Sequence, residues 1–234
     1  MGQKVYAISD PHLSANADKP MDIFGPNWDN HWQKIKEDWV KHVKEDDLVL
    51  VPGDISWAMY LEEAKDDLNA IGALPGKKVI LRGNHDYWWK SISAVRSILP
   101  EDMFAVQNDV VRFDDVLVCG TRGWTVPEYK HKTAEDEKIF KREVLRLELS
   151  LKNMQAERKE GDFVIAITHY PPINARRAVS EFALLFEQYK VDAVVYGHLH
   201  GSDSRTELYF ERNGIKYYLT SCDLVDHKMT LIRK

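Results

Sequence analysis

Cysteine is scarce in this 234-residue chain, with only Cys119 and Cys222 present. They lie far apart and outside any metal-like spacing. A disulfide scaffold is therefore not expected, and a reducing cytoplasm is the natural compartment. No run of about 18 apolar residues occurs, which argues against a helical membrane span. The opening MGQKVYAISD has no long apolar h-region, so no signal peptide is expected, and Tyr6 breaks the myristoylation pattern. Excess positive charge is also missing. The net charge is −5 with histidines neutral, so no basic footprint points to nucleic acid. Internal repeats and low-complexity linkers are absent. What is there is ordinary globular material, 44% apolar and 29% charged. That composition can build a core without staples.

Short apolar runs bounded by Gly, Pro, Asn or Asp recur along the chain. They read KVYAIS, DLVLV, KKVIL, VLVCG, FVIAI and DAVVY. Their near-continuous hydrophobicity predicts strands buried on both faces. Segments with helical period separate most of them. Trp28, Trp32, Ile35, Trp39 and Val43 form one stripe, and Leu61, Ala64, Leu68 and Ile71 a second. Trp88, Ile92, Val95 and Leu99 form a third. The longest predicted helix follows Thr133, whose TAED resembles a capping box with Asp136 in the usual Glu position. Phe140, Val144, Leu147, Leu151 and Met154 then mark a core-facing stripe, with Gly161 as the expected stop. Near the C-terminus, Asn213-Gly214 between two alternating runs predicts a type I′ hairpin. MTLIRK reads as one more strand. The expectation is a mixed α/β layered domain.

Five of the apolar runs hand off directly to Asp, Asn or His. VYAIS leads to Asp10 and His12, and LVLVP to Asp54. KVILR leads to Asn84, His85 and Asp86, VIAIT to His169, and AVVY to His198 and His200. In open α/β sheets ligands bind beyond the carboxyl ends of the strands, so these residues should converge on one edge of one sheet. Alone, Asp54 fits a helix N-cap and Asn84 a left-handed turn. The series outweighs both. Carboxylates, a carboxamide and imidazoles with no thiolate suit Mn, Fe or Zn. Asp10, His12, Asp54, Asn84, His169, His198 and His200 fill two metal sites if one carboxylate bridges, and Asp54 is central in the order.

The ordered motifs DPH (10–12), GD (53–54), GNHD (83–86), THYPP (168–172) and GHLH (197–200) resemble the calcineurin-like metallophosphoesterase superfamily. With GTRGW (120–124), the chain looks like a small bacterial putative phosphohydrolase branch. The resemblance implies a single domain over residues 1–234, α/β in class, a layered β-sandwich of mixed sheets flanked by helices. It implies two divalent or trivalent ions of the Mn/Fe/Zn class, with manganese first. Asp10, His12 and His200 would hold one ion, Asn84, His169 and His198 the other, and Asp54 would bridge. His85 would face the phosphoryl group, and Asp86 would orient His85. The implied activity is hydrolysis of a phosphomonoester or phosphodiester by attack of a metal-bridging hydroxide. A nuclease of the same superfamily and a catalytically silent protein-binding scaffold are the rival readings.

Several further residues carry expectations. Arg122, Arg176 and Arg177 are candidate contacts for substrate phosphate, because a guanidinium fork matches it. Trp88 should pack in the core, while Tyr87 or Trp89 could flank the pocket. His31, His42, His131 and His227 read as surface or packing residues. The loops 18–30 and 124–133 carry no readable motif, and the first could roof the site. The expected partner is a small phosphate ester, with neither membrane nor nucleic acid implied.

Overall fold

Burial on both faces turns the apolar runs into strands. The computed structural model describes residues 3–17, 19–130, 132–201 and 207–234. His131, expected at the surface or in packing, and Asp18, the start of the first loop, lie outside the described residues. The strands are β1 (Val5–Ala7), β2 (Leu48–Val51), β3 (Lys77–Leu81), β4 (Met103–Val106), β5 (Val110–Phe113) and β6 (Val116–Gly120). They continue with β7 (Phe163–Ile167), β8 (Ala193–Tyr196), β9 (Tyr209–Arg212), β10 (Ile215–Leu219) and β11 (Thr230–Arg233). The α-helices are α1 (His31–His42), α2 (Lys65–Gly72), α3 (Ile92–Arg96), α4 (Ala134–Glu157) and α5 (Glu181–Gln188). No helix among the described residues is long and apolar enough to cross a membrane.

Two mixed sheets result, ordered β11-β1-β2-β3-β4 and β5-β6-β7-β8-β10-β9. Each has a parallel centre, β1 to β4 in the first and β6-β7-β8-β10 in the second. Antiparallel edge strands complete them. Alternate side chains divide between the faces, as a pleated strand requires. Val5, Leu48, Leu50 and Val79 meet Val116, Val118, Ile165 and Val195 in a dry layer between the sheets. The other face of the first sheet packs on Trp39, Leu68, Ile71 and Val95 of α1 to α3. The outer face of the second packs on Phe140, Leu147, Leu151 and Phe186 of α4 and α5. The result is a four-layer helix–sheet–sheet–helix sandwich.

Several local expectations are met. Asn213 and Gly214 take φ of 49° and 79°, the pair of positive values a type I′ turn needs. Thr133 caps α4, its hydroxyl accepting from the Asp136 N–H at 3.0 Å. Some boundaries differ. α4 ends at Glu157, four residues before Gly161. The second stripe starts in a turn, and only Lys65–Gly72 is helical. Both cysteines are free and buried.

Candidate metal centre

The site corrects one expectation about placement. The predicted residues do not share one sheet. Asp10, Asp54 and Asn84 follow β1, β2 and β3 of the first sheet. His169, His198 and His200 follow β7 and β8 of the second. The carboxyl ends of both parallel cores meet at one end of the sandwich, where a bridge between Ser9 and Ser221 ties them together.

Tight turns deliver the side chains. Asp10, His12, Asp54 and His198 hold φ of 57°, 46°, 50° and 74°, the left-handed region that L-residues avoid. Each such residue costs about 1 kcal/mol or more and persists only where surroundings fix it. Those surroundings are hydrogen bonds. Backbone N–H groups of Asp10 and His12 donate to the carbonyls of Gly53 and Asp54, at 3.1 and 3.0 Å. The His198 N–H donates to both oxygens of Asp10, at 3.2 and 3.0 Å. Gly83 and Gly197 permit the close approach. A Cβ on Gly83 would overlap the Asp54 carboxylate, and one on Gly197 the Asp10 carboxylate and Ser9 hydroxyl.

Among the described residues, two groups of donor atoms lie close enough to hold a metal ion: Asp10, His12 and His200, and Asp10, Asp54 and His169. The His12 and His200 Nε2 atoms are 3.4 Å apart. Asp10 is common to both groups, while Asp54 Oδ2, in the second group, lies 3.8 Å from His12 Nε2 and 3.5 Å from His169 Nε2. Asn84 Oδ1 is 2.7 Å from His169 Nε2. The His198 imidazole belongs to neither group. It packs on Tyr170, with ring centres 4.2 Å apart, and on His169 at 5.0 Å.

The donors fit a cation. His169 Nδ1 is 3.0 Å from the Pro52 carbonyl, so it donates there and turns the Nε2 lone pair into the cluster. His200 Nδ1 is 2.8 Å from Asp223 Oδ1 and does the same. Such outward partners fix the tautomer and aim of metal-ligating histidines. Asp223 also accepts from the Gly201 N–H at 3.0 Å. Sequence reasoning missed Asp223, which stands 23 positions beyond His200 in a C-terminal turn and in no motif. Cys222 reaches the same place, its thiol 3.0 Å from the Asp10 carbonyl.

Electrostatics follows from burial. Burial pushes His12 and His169 down to about 3 and His198 to about 4, although Asp10 pulls each upward. Burial also opposes charge on His200, but hydrogen bonds to Asp10 and Asp223 win and raise it to about 10. Burial, then the nearby charges of Asp10 and Asp86, push Asp54 above the carboxylate range. Burial works on Asp10 in the same direction, yet the His200 hydrogen bond and the surrounding histidines hold it below that range.

His85 faces this cluster. Its ring centre is 5.7 Å from His12 and 4.6 Å from Trp57. The expected partnership of His85 with Asp86 is not what the structure shows. The buried Asp86 carboxylate accepts from the backbone N–H groups of Gly83, Ile55 and Ser56, at 2.7, 2.8 and 3.2 Å. It also accepts from Trp88 Nε1 at 3.0 Å. Asp86 thus clamps the turn after β3 to the turn after β2, because a buried carboxylate goes where several backbone N–H groups can satisfy it together. The His85 backbone N–H donates to Asp54 Oδ1 at 2.7 Å, and its ring Nδ1 lies 3.5 Å from the Tyr87 hydroxyl. Trp88 and Trp89 are both buried, and Trp89 donates to Gln107 at 2.8 Å. Tyr87, not Trp89, therefore stands at the rim.

The arginines separate. Arg122 lies 5.1 Å over the Trp124 ring, and its carbonyl accepts from the N–H groups of His169 and Tyr170, each at 3.0 Å. Arg176 pairs with Glu128 at 3.2 Å. Arg177 pairs with Glu207 and lines a cleft of about 610 Å³ that reaches His198. The loop 124–133 supplies Thr125, Val126 and Glu128 to that cleft. In the loop 18–30, Trp28 packs 5.9 Å from His12 and 5.7 Å from His200. Among the non-motif histidines, His31 binds the Pro11 carbonyl at 2.9 Å and His227 the Asn27 carbonyl at 2.8 Å. Both roles are packing.

A family model for calcineurin-like phosphoesterases matches residues 3–202. The chain belongs to that family. Solved structures similar to this phosphoesterase-family chain include the phosphopantetheinyl hydrolase of Mycobacterium tuberculosis. That likeness has 12% identity and a TM-score of 0.57, covering 98% of this chain and 95% of the other. Protein TT1561 of Thermus thermophilus has 12% identity and a TM-score of 0.57, with 100% and 99% covered. A protein of unknown function from Aquifex aeolicus, AQ665, has 14% identity and a TM-score of 0.52, with 98% and 96% covered. At such identities the likeness shows the fold alone. A search of the curated proteins finds no match. The family typically binds divalent metals, and both donor groups here could hold such an ion.

Proposed function

We propose that this chain is a binuclear metal-dependent phosphohydrolase acting on a phosphomonoester or phosphodiester of a small molecule. One observation carries the reading. Turns from two sheets bring two buried carboxylates and three imidazoles together, within two overlapping donor groups. Asp10, His12 and His200 would hold one ion. Asn84, His169 and His198 would hold the other, with Asp54 between them. The nitrogen and oxygen donors suit Mn, Fe or Zn, with manganese first. Bound ions of this kind neutralise phosphoryl charge and acidify water.

The chain's own residues do the rest. His85 stands beside the cluster, where its imidazole can hydrogen-bond a phosphoryl oxygen or pass a proton to the leaving oxygen. Burial lowers its pKa, so the ring releases a proton more readily than a free imidazolium does. Asp86 keeps Asn84 and His85 in place by clamping their turn. A cytoplasmic location agrees with two free, buried cysteines.

The test is Mn²⁺-dependent hydrolysis of an aryl phosphate by the purified protein. His85→Ala is expected to lower kcat by about 10²–10⁴. Asp54→Ala should abolish both turnover and stoichiometric metal binding. Full activity in Asp54→Ala would overturn the proposal.

A further inference from the structure

The cleft beside His198 is built for something larger than a phosphate group. Its volume is about 610 Å³, in the size range of small-molecule sites. Its walls are aromatic and aliphatic: Tyr170, Pro171, Ile173, Tyr196, Leu199 and Phe210. Two of these walls are rigid. Phe210 stacks flat on Tyr217, with centres 4.6 Å apart and planes 8° from parallel. Tyr170 is wedged between Trp124 at 5.0 Å and His198 at 4.2 Å. A group leaning on Tyr170 is therefore one ring away from the candidate metal ligands.

The charged side chains of the cleft are already paired, and its amide is hydrogen-bonded. Arg177 is paired with Glu207 and lies 5.0 Å over the Phe210 ring. Glu128 is paired with Arg176. Asn174 donates to the Pro127 carbonyl at 2.9 Å and accepts from the N–H groups of Arg176 and Ala178, at 3.1 Å each. Neither charged pair offers an unmatched charge to a ligand, so an ion entering among apolar walls would lose hydration without a partner.

Resting on the phosphohydrolase reading, we propose that this cleft receives the organic half of the phosphate ester. That half is bulky, apolar or aromatic, and uncharged. Esters whose organic half carries a charge are disfavoured, because the cleft's own charges are already paired.

The test uses the full-length, Mn²⁺-loaded protein and two aryl esters whose phenolic oxygens leave about equally well. These are 1-naphthyl phosphate and 4-carboxyphenyl phosphate. The expected kcat/KM ratio favours the naphthyl ester by about tenfold or more. Ala175→Trp, at an exposed position lining the cleft, should pull that ratio towards one by filling the space with an indole. A ratio near one in the unmodified protein, or one unmoved by Ala175→Trp, overturns the cleft assignment. Hydrolysis of neither ester would instead strike the hydrolase reading. Saturation-transfer NMR with 1-naphthylphosphonate decides the cleft without turnover. Naphthyl protons should receive saturation from the unmodified protein and lose most of it in Ala175→Trp. Equal signals from the two proteins overturn the cleft proposal.

Discussion

Asp223 shows how much of a candidate metal centre can sit outside its motifs. It belongs to neither donor group. It holds the ring of His200 through Nδ1 and holds the Gly201 backbone with its other oxygen. Asp223→Ala should weaken metal binding by about 10–100-fold, read by competition titration with a chromogenic chelator. Protonation at the same residues sets a pH dependence. His200 is raised to about 10, and Asp54 is raised above the carboxylate range. Both carry protons at neutral pH in the metal-free protein, and both must lose them to ligate. His12, His169 and His198 are lowered and already neutral there. Apparent metal affinity should therefore rise as pH increases from about 7 to 9, by up to about tenfold per unit for each proton released. Calorimetry in two buffers of different ionisation heat reads that release. Affinity that is flat or falling over this range contradicts the assignment.

At the scale of elements, the turns matter more than the strands they follow. Gly197→Ala should strip the site of metal, because the new Cβ overlaps the Asp10 carboxylate; bound metal per chain is the measurement. The long helix α4 contributes at a distance. Its buried Glu143 accepts from Thr121 at 2.8 Å and from Arg146 at 2.7 Å. Thr121 adjoins Arg122, whose carbonyl holds the His169 turn. Glu143→Leu removes an acceptor that Thr121 and Arg146 share, leaving Thr121 only Asn108 Oδ1 at 3.1 Å, and should cost about 1–3 kcal/mol in denaturant unfolding. Most elements are legible in the chain. Six apolar runs become six strands, and the Asn-Gly hairpin forms as written. The strands β4 and β5 and the helix α5 are not. The α5 run FALLF is continuous instead of striped, and a short continuous apolar run does not tell helix from strand. Its structure comes from tertiary packing of Phe182 and Phe186 against the second sheet.

For the whole molecule, the site is also a tie between two sheets. Any ion held there joins turns from both halves of the sandwich, so it should stabilise the folded state alone. Metal at about 100 times its Kd adds about 2.7 kcal/mol. For a chain of this size that is a Tm rise of about 5–10 °C over chelator-treated protein, measurable by calorimetry. An unchanged Tm would mean that no metal is held by the native fold. The sequence by itself determined the types of the candidate ligands, their order and their place after buried strands. Backbone geometry is local, and a glycine or a strand end can be read where it stands. Only the tertiary structure decided that these residues come from two sheets, that Asp86 clamps turns instead of orienting His85, and that Asp223 stands behind His200. Those contacts join residues from 23 to 188 positions apart, or depend on which of several nearby donors a buried carboxylate meets first. Packing settles such choices, and no local pattern in the chain records them.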